Sequence, residues 1–302
     1  MYNVSTSPKR RNHLGQMIVS TIVALVVLGA VANQLGLVDG ARQLWVTLFS
    51  SPEAEAYKKG LAELETMERR NLEPAFADFT RAITLNPNYV PAYRKRSVVY
   101  FLLDMPERGM EDINRAIELE PKNPELYVQR SAGWLAQGKP DGNEFLSDLN
   151  KAIELKPDYF EAFVVRGISY RNLHLWDKAL SDLNRAVELK PWRIAPTQEY
   201  ALYINRGLAF LATNKLDAAL SDFDRTVKIF PKQGQAYRNR GDAYLKKGQF
   251  KEAATDYLKT LELEPTYNLT DVLADFQNHV ATESDAATKA EMEKLIAQIQ
   301  QK

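Results

Sequence analysis

Charged side chains recur at fixed intervals in this 302-residue sequence, and their chemistry is that of ion pairing. One arginine position repeats in five successive segments and one aspartate position in six: Arg96, Arg130, Arg166, Arg206 and Arg240, with Asp78, Asp112, Asp148, Asp182, Asp222 and Asp256. A guanidinium and a carboxylate can form two parallel hydrogen bonds. Pairing between helices and ligand binding are both open roles, and repetition in nearly every segment favours pairing.

Common catalytic motifs are not found in the sequence. The sequence contains no GxSxG, HExxH or P-loop motif, and Asp141-Gly142-Asn143 lacks the remaining acidic spacing of a calcium loop. Its three histidines lie far apart, and it has no cysteine. We therefore predict no enzyme activity, no cofactor, no metal site and no disulfide. With 39 basic and 39 acidic residues, the chain offers no electrostatic footprint for nucleic acid.

The elements that must position these charges form an internal repeat. Similar four-residue motifs, such as ELEP and ELKP, end in proline at positions 87, 121, 157, 191, 231 and 265. Intervals of 34 to 40 residues indicate one supersecondary unit repeated along the chain, each copy stacking on its neighbours. The units are 56–89, 90–123, 124–159, 160–193, 200–233 and 234–267.

Units two to six carry a pattern of small and large residues typical of two packed helices. An aromatic residue is followed four positions later by a small residue and three further on by another aromatic, as in Tyr203, Gly207 and Phe210. These spacings place the three side chains on one helical face. The second helix alternates likewise, as in Ala219, Phe223 and Thr226.

This pattern resembles the tetratricopeptide repeat family over residues 56–267. The resemblance implies an all-α fold, a right-handed α-solenoid of about six helix-turn-helix repeats. Unit one departs from the pattern, because Glu63 stands where the small residue is expected. Six extra residues containing Pro196 precede unit five, and we expect the stacking to pause or bend there.

Two further helices are predicted after the repeats, within residues 268–302. Leu269 to His279 and Ala286 to Gln300 both show helical spacing of apolar residues. We expect them to cap the apolar end of the stack. Self-association through residues 284–302, which would make the protein a structural organiser of its own kind, is the alternative.

A membrane segment is predicted near the N-terminus. Residues 14–38 carry no charge over 25 positions, enough for a helix that crosses the bilayer, whereas residues 1–13 are basic and 39–55 form a juxtamembrane linker. Three basic residues, Lys9-Arg10-Arg11, precede the segment, so residues 1–13 are predicted to be cytoplasmic and the repeats to lie in the periplasm or a lumen. A buried core helix, or a signal peptide cleaved near Ala32 with a secreted product, are the alternatives. We favour an uncleaved single-pass anchor, as in bacterial-type membrane-anchored members of the resembled family.

The resemblance also implies where a partner binds. In that family the first helices of successive repeats line a concave groove that accepts peptides or protein segments. The corresponding positions here, called the groove residues, are Arg94, Val98, Val128, Ala132, Val164, Ile168, Arg171, Ile204, Asn205, Leu208, Arg238, Asn239 and Asp242. A carboxylate clamp of the kind found in one subclass is incomplete, because Val164 and Ile168 replace its first polar pair.

The function that follows is that of a scaffold. We expect a membrane-anchored protein that binds a peptide or protein segment in its groove, during assembly or maintenance of a membrane or envelope complex, including photosynthetic membranes. Neither a nucleic acid nor a small-molecule substrate is expected as a partner.

Overall fold

The described part of the chain is helical throughout. The computed structural model describes residues 51–65, 72–137 and 143–300, and these ranges contain fourteen helices and no strand. In chain order they are α1 Pro52–Glu65, α2 Leu72–Leu85, α3 Val90–Leu102, α4 Pro106–Leu119, α5 Pro124–Ala136, α6 Asn143–Leu155, α7 Phe160–Asn172, α8 Trp176–Leu189, α9 Pro196–Ala212, α10 Leu216–Ile229, α11 Gly234–Lys246, α12 Phe250–Leu263, α13 Thr270–Val280 and α14 Ala286–Gln300.

The helices fall into two compact units, one ending at Leu103 and the other beginning at Asp104. Within the second unit, each first helix packs on the second helix of its own repeat, and that second helix packs on the first helix of the next repeat. This is the arrangement of a helical repeat solenoid, as the period predicts. The predicted anchor at 14–38, the residues before it and 39–50 lie outside the described residues.

Small residues allow the paired helices to approach closely. A Cβ added to Gly207 of α9 would lie 2.6 Å from Cε1 of Phe223 on α10, whose ring is fully buried. Alanine there would have to displace a packed aromatic ring, which is a form of overpacking. The alternation of small and large residues seen in the sequence is therefore a packing requirement.

In the first repeat a small residue also lies beneath an aromatic ring, but at a different sequence spacing. Its first helix begins at Pro52, inside the predicted linker, and Gly60 lies beneath the Phe79 ring, where an added Cβ would be only 2.7 Å from Cε1. The prediction that Glu63 holds the small position is wrong. The prediction counted back from Pro87 and assumed the same spacing between the small residue and the aromatic residue in every repeat. In the first repeat, the spacing from Gly60 to Phe79 is three residues longer than the spacing from Gly207 to Phe223 in the fifth. The shift also places Lys59 at the repeated arginine position, where it pairs with Asp78 at 3.2 Å.

The repeated arginines and aspartates form interhelical pairs in the second unit. In repeats three to six, the guanidinium donates two hydrogen bonds to one carboxylate on the second helix of the same repeat. The pairs are Arg130–Asp148, Arg166–Asp182, Arg206–Asp222 and Arg240–Asp256, at 2.6 to 2.9 Å. The predicted architectural pairing is confirmed for these four repeats.

A third partner, which the sequence analysis missed, joins each pair to the preceding repeat. The remaining guanidinium nitrogen donates to a side chain two residues after the aspartate of that repeat. These acceptors are Asn114, Asn150, Asn184 and Asp224, at 2.7 to 3.1 Å. Each arginine therefore fixes three helices and contributes to the register between repeats.

His174 lies in the turn between the two helices of its repeat, where the backbone is left-handed. His174 and Asn214 adopt left-handed φ values of 58° and 59°, at the repeat position that Gly248 occupies with φ 78°. The following N–H of Leu175 donates to the Tyr170 carbonyl at 2.8 Å, which ends α7 as left-handed helix caps do. His174 thus terminates a helix.

The insertion before the fifth repeat leaves α8 packed on α9, so the predicted pause in the stacking is wrong. Pro196 occupies the first turn of α9, where a missing N–H is tolerated, so the helix begins one turn early. Leu183 of α8 and Leu202 of α9 belong to one buried cluster. Glu199 accepts from Lys190 at 3.0 Å and from Arg225 of α10, which fixes the extra turn.

The C-terminal helices cover the end of the second unit. Phe276 of α13 and Leu295 of α14 are fully buried in one cluster with Tyr257 of α12. Met292 and Ile299 are buried in the same cluster, so the apolar face of α14 is used within the chain. The predicted cap is confirmed, and self-association through this face would have to displace α14.

Candidate functional site

The first helices of four repeats, α5, α7, α9 and α11, carry most of the groove residues. Each of these helices contacts the next one directly, so they lie side by side in the second unit. Arg94 and Val98 lie on α3 of the first unit, and both are half-buried.

The middle of this surface is aliphatic. Val164 and Ile204 are 9% and 8% exposed, and Ile168 and Leu208, one turn further along, are half-buried. Ile168 packs against the cluster of Phe163 and Leu183, and Leu208 packs against that of Phe223. Their positions are therefore fixed by the core while part of each side chain stays accessible.

Two residues that the sequence analysis missed extend this aliphatic surface. Leu211 and Leu245 occupy, in α9 and α11, the repeat position that Arg171 occupies in α7, and both are half-buried. The repeat position was the signal that could have found them, since the prediction named Arg171 alone at that position.

The asparagines of the groove bond within their own helices. Asn205 donates from Nδ2 to the Ala201 carbonyl at 2.7 Å. Asn239 is 5% exposed, and its Oδ1 accepts from Gln235 at 2.9 Å. Neither arrangement adds to the incomplete carboxylate clamp.

At the C-terminal end, the groove charges are matched within the chain. Arg238 donates to Asp242 at 2.8 Å and to Asp271 of α13, and the buried Tyr257 hydroxyl donates to Asp242 at 2.7 Å. Burial raises the pKa of Asp242, whereas the Arg238 hydrogen bond lowers the pKa of Asp271. The predicted groove residues Arg238 and Asp242 therefore serve the contact with the cap.

Arg171 lies in an environment unlike that of Arg238, the groove cation on α11. Its Nη2 donates to Asn172 at 2.6 Å, while its Nε is buried and has no hydrogen-bond partner. Burial lowers the pKa of Arg171, whereas hydrogen bonding to Asp148 is the main cause that raises the pKa of Arg130.

The described residues offer neither a metal site nor a membrane-spanning helix. Across 51–65, 72–137 and 143–300, no group of three or more histidine, cysteine, aspartate or glutamate side chains could hold a metal ion. In those ranges, none of the helices combines the length and apolar character needed to cross a bilayer.

The geometry defines a class of protein, an α-helical repeat solenoid, in whose second unit the first helices α5, α7, α9 and α11 form one surface. The particular family is supported by sequence comparison, since residues 204–268 match a family model described as tetratricopeptide repeat. The chain is 33% identical over 93 residues to serine/threonine-protein phosphatase 5 of Rattus norvegicus, covering 29% of this chain and 19% of that protein. The alignment with a FAM10 family protein of Arabidopsis thaliana has 37% identity over 72 residues and covers 24% and 16%. The chain thus spans less than a fifth of the length of these curated relatives.

Solved structures agree on the fold. YrrB, described as a TPR protein with an unusual peptide-binding site, matches with a TM-score of 0.50 and 22% identity, over 63% of this chain and 93% of that one. Pseudomonas aeruginosa pilF matches with a TM-score of 0.60 and 16% identity, over 77% of this chain and all of that one. The fold is that of tetratricopeptide repeat proteins.

Proposed function

We propose that this protein is a non-enzymatic, membrane-anchored scaffold whose groove residues hold a peptide or protein segment during assembly or maintenance of a membrane or envelope complex. The observation that carries the proposal is the aliphatic surface around Ile168 and Leu208, which the core holds in place and leaves partly accessible. Anchored apolar side chains with polar neighbours are typical of surfaces that bind extended segments. YrrB, of the same fold, is described as having a peptide-binding site.

The binding part of the proposal is tested by charge insertion. The full chain, tagged and solubilised from its membrane, is expected to capture a defined protein complex. Ile168→Asp with Leu208→Asp is expected to abolish capture, because two carboxylates would have to be desolvated against apolar ligand groups. The milder pair Ile168→Ala with Leu208→Ala should reduce capture without adding charge.

A matched control uses the second helices of the same two repeats. Ser181 of α8 and Ser221 of α10 are exposed, so Ser181→Asp with Ser221→Asp adds the same charge away from the groove residues. Circular dichroism establishes that every variant remains folded. Unchanged capture by the folded groove variants would contradict the proposed binding surface.

The anchoring part rests on the sequence of residues 14–38, which lie outside the described residues. The uncharged stretch is long enough to span a bilayer, and the basic residues before it favour an orientation with the repeats on the far side. Sealed inside-out and right-side-out vesicles, treated with protease, should show the repeats protected in the first and digested in the second. If the mass of the mature protein instead corresponded to an N-terminus near residue 33, the segment would be a cleaved signal peptide and the protein would be secreted.

A further inference from the structure

Arg171 is a groove cation without a matching anion. It lies in the last turn of α7, three residues after Ile168. Its Nη2 donates to Asn172, and its Nε is shielded from solvent without an acceptor. Within the described residues, no carboxylate forms an ion pair with Arg171, and burial is the sole cause that lowers its pKa.

The other arginines on these first helices show that the fold can supply such partners. Arg166, on the same helix, donates twice to Asp182 and once to Asn150. Arg238, on α11, has both Asp242 and Asp271. The missing counter-charge therefore sets Arg171 apart from these two arginines.

Aliphatic residues occupy the position of Arg171 in the two repeats that follow it. Leu211 and Leu245 stand at the equivalent places in α9 and α11. A guanidinium remains charged at every ordinary pH. Partial burial removes hydration that the Asn172 side chain replaces at Nη2 only, and Nε keeps no acceptor. A ligand covering the groove would remove the remaining water and leave the charge uncompensated unless the ligand supplies an anion.

We infer that the segment bound by this groove carries a carboxylate that accepts hydrogen bonds from Arg171, flanked by aliphatic side chains that rest on Ile168 and Leu208. This inference rests on the proposed function and adds the chemical class of the ligand. It differs from the incomplete carboxylate clamp, whose first polar pair would stand at Val164 and Ile168.

The test is a peptide-display selection of a random library on the full chain, with wild type, Arg171→Gln and Arg171→Glu in parallel. Wild type should enrich aspartate or glutamate between aliphatic residues. Arg171→Gln should retain the aliphatic enrichment and lose the acid, with roughly ten- to hundredfold weaker binding of a selected acidic peptide. Arg171→Glu should enrich lysine or arginine instead, a reversal that a merely structural residue would not produce.

Three controls decide between outcomes. Arg185→Gln, which removes an exposed guanidinium paired with Glu188 on α8, should select the same acidic peptides as wild type. Peptides made with an amidated C-terminus, and with glutamine replacing the internal acid, show whether the carboxylate is terminal or a side chain. The Ile168→Asp, Leu208→Asp variant shows whether selected peptides use the groove.

The inference and the proposed function can fail separately. Aliphatic enrichment that depends on Ile168 and Leu208 but shows no preference for acids on wild type would overturn the role of Arg171 alone. Selected peptides that bind the Ile168→Asp, Leu208→Asp variant equally well, or the absence of any enrichment, would overturn both.

Discussion

At the scale of single residues, the role of an arginine in this protein depends on the partners of its guanidinium. Arg206 lies between Asp222 of its own repeat and Asn184 of the preceding one, and the rings of Tyr203 and Phe210 flank it at 5.5 Å. Arg171, one repeat earlier, has neither a carboxylate nor a full set of acceptors among the described residues. The first arrangement stabilises the stack, and the second leaves a charge available to a ligand.

Removing Arg206 should be costly, because Asp222 is only 3% exposed and would stay buried without its cation. We expect Arg206→Ala to lower the free energy of unfolding by about 3 kcal/mol. Burial already raises the pKa of Asp222, and loss of Arg206 should raise it further. The loss of unfolding free energy in Arg206→Ala should be complete above the raised pKa of Asp222 in the folded variant. It should shrink as the pH falls through that pKa, because protonation removes the buried charge. Urea unfolding of the full chain, followed by circular dichroism, measures both effects.

The comparison variant for this prediction is Arg185→Ala. Arg185 pairs with Glu188 one turn along α8, and the two side chains are 47% and 65% exposed. Its removal should cost no more than about 0.5 kcal/mol. Equal losses in the two variants would contradict the structural importance of the buried pairs.

At the scale of elements, the cap shows how a helix outside the period is held by a residue of the last repeat. Asp271 in the first turn of α13 accepts from Arg238, and Tyr267, just before that helix, donates to Gln235 of α11 at 2.9 Å. Phe276 lies edge-on to the Tyr257 ring, with centroids 5.8 Å apart. Polar contacts orient α13, and the aromatic contact buries it.

Asp271→Asn should weaken the capping contact in a pH-dependent way. The Arg238 hydrogen bond lowers the folded-state pKa of Asp271 below its ordinary value of 3.8. The stabilisation is therefore present above the ordinary value and lost as the pH falls through the lowered one. Because the Asp271 side chain is 62% exposed, the effect should be at most about 1 kcal/mol.

The measurement is the difference in unfolding free energy between wild type and Asp271→Asn, from about pH 7 down to about pH 3. Asp275→Asn, an exposed position on the same helix, is the matched control for removal of one negative charge. A difference that grows on acidification would reverse the sign expected here.

At the scale of the whole molecule, the second unit is a linear stack in which each repeat contacts its neighbours. Its buried residues form a series of separate clusters, such as those around Tyr257, Phe223 and Phe163. Local openings in such a stack need not spread through all repeats. Disturbance at one end should therefore decline with distance along the chain.

Phe276→Ala tests this expectation, since Phe276 is fully buried and its truncation should cost about 3 to 5 kcal/mol locally. Amide hydrogen exchange should accelerate strongly in α12 to α14 and little in α5 and α6. The exposed neighbour Gln277→Ala serves as the control and should leave exchange unchanged. Uniform acceleration across the second unit would indicate one cooperative body instead.

The amino-acid sequence by itself determined the repeat, the helical class, the capping helices and the aspartate partners of the repeated arginines. These follow from local rules, because proline, small residues and apolar spacing act within one helix or between adjacent helices. Sequence spacing alone could not place Gly60, since its register depends on how the Phe79 ring fills the gap between two helices. Nor could it show that Pro196 starts a helix without interrupting the stack.

The tertiary structure decided which groove residues remain available. Arg238 and Arg171 are both groove cations in the sequence, yet α13 brings Asp271 to the first, and no described carboxylate reaches the second. This difference arises from contacts between residues far apart in the chain, which no repeat period encodes. Charge matching in the groove is therefore a property of the folded stack.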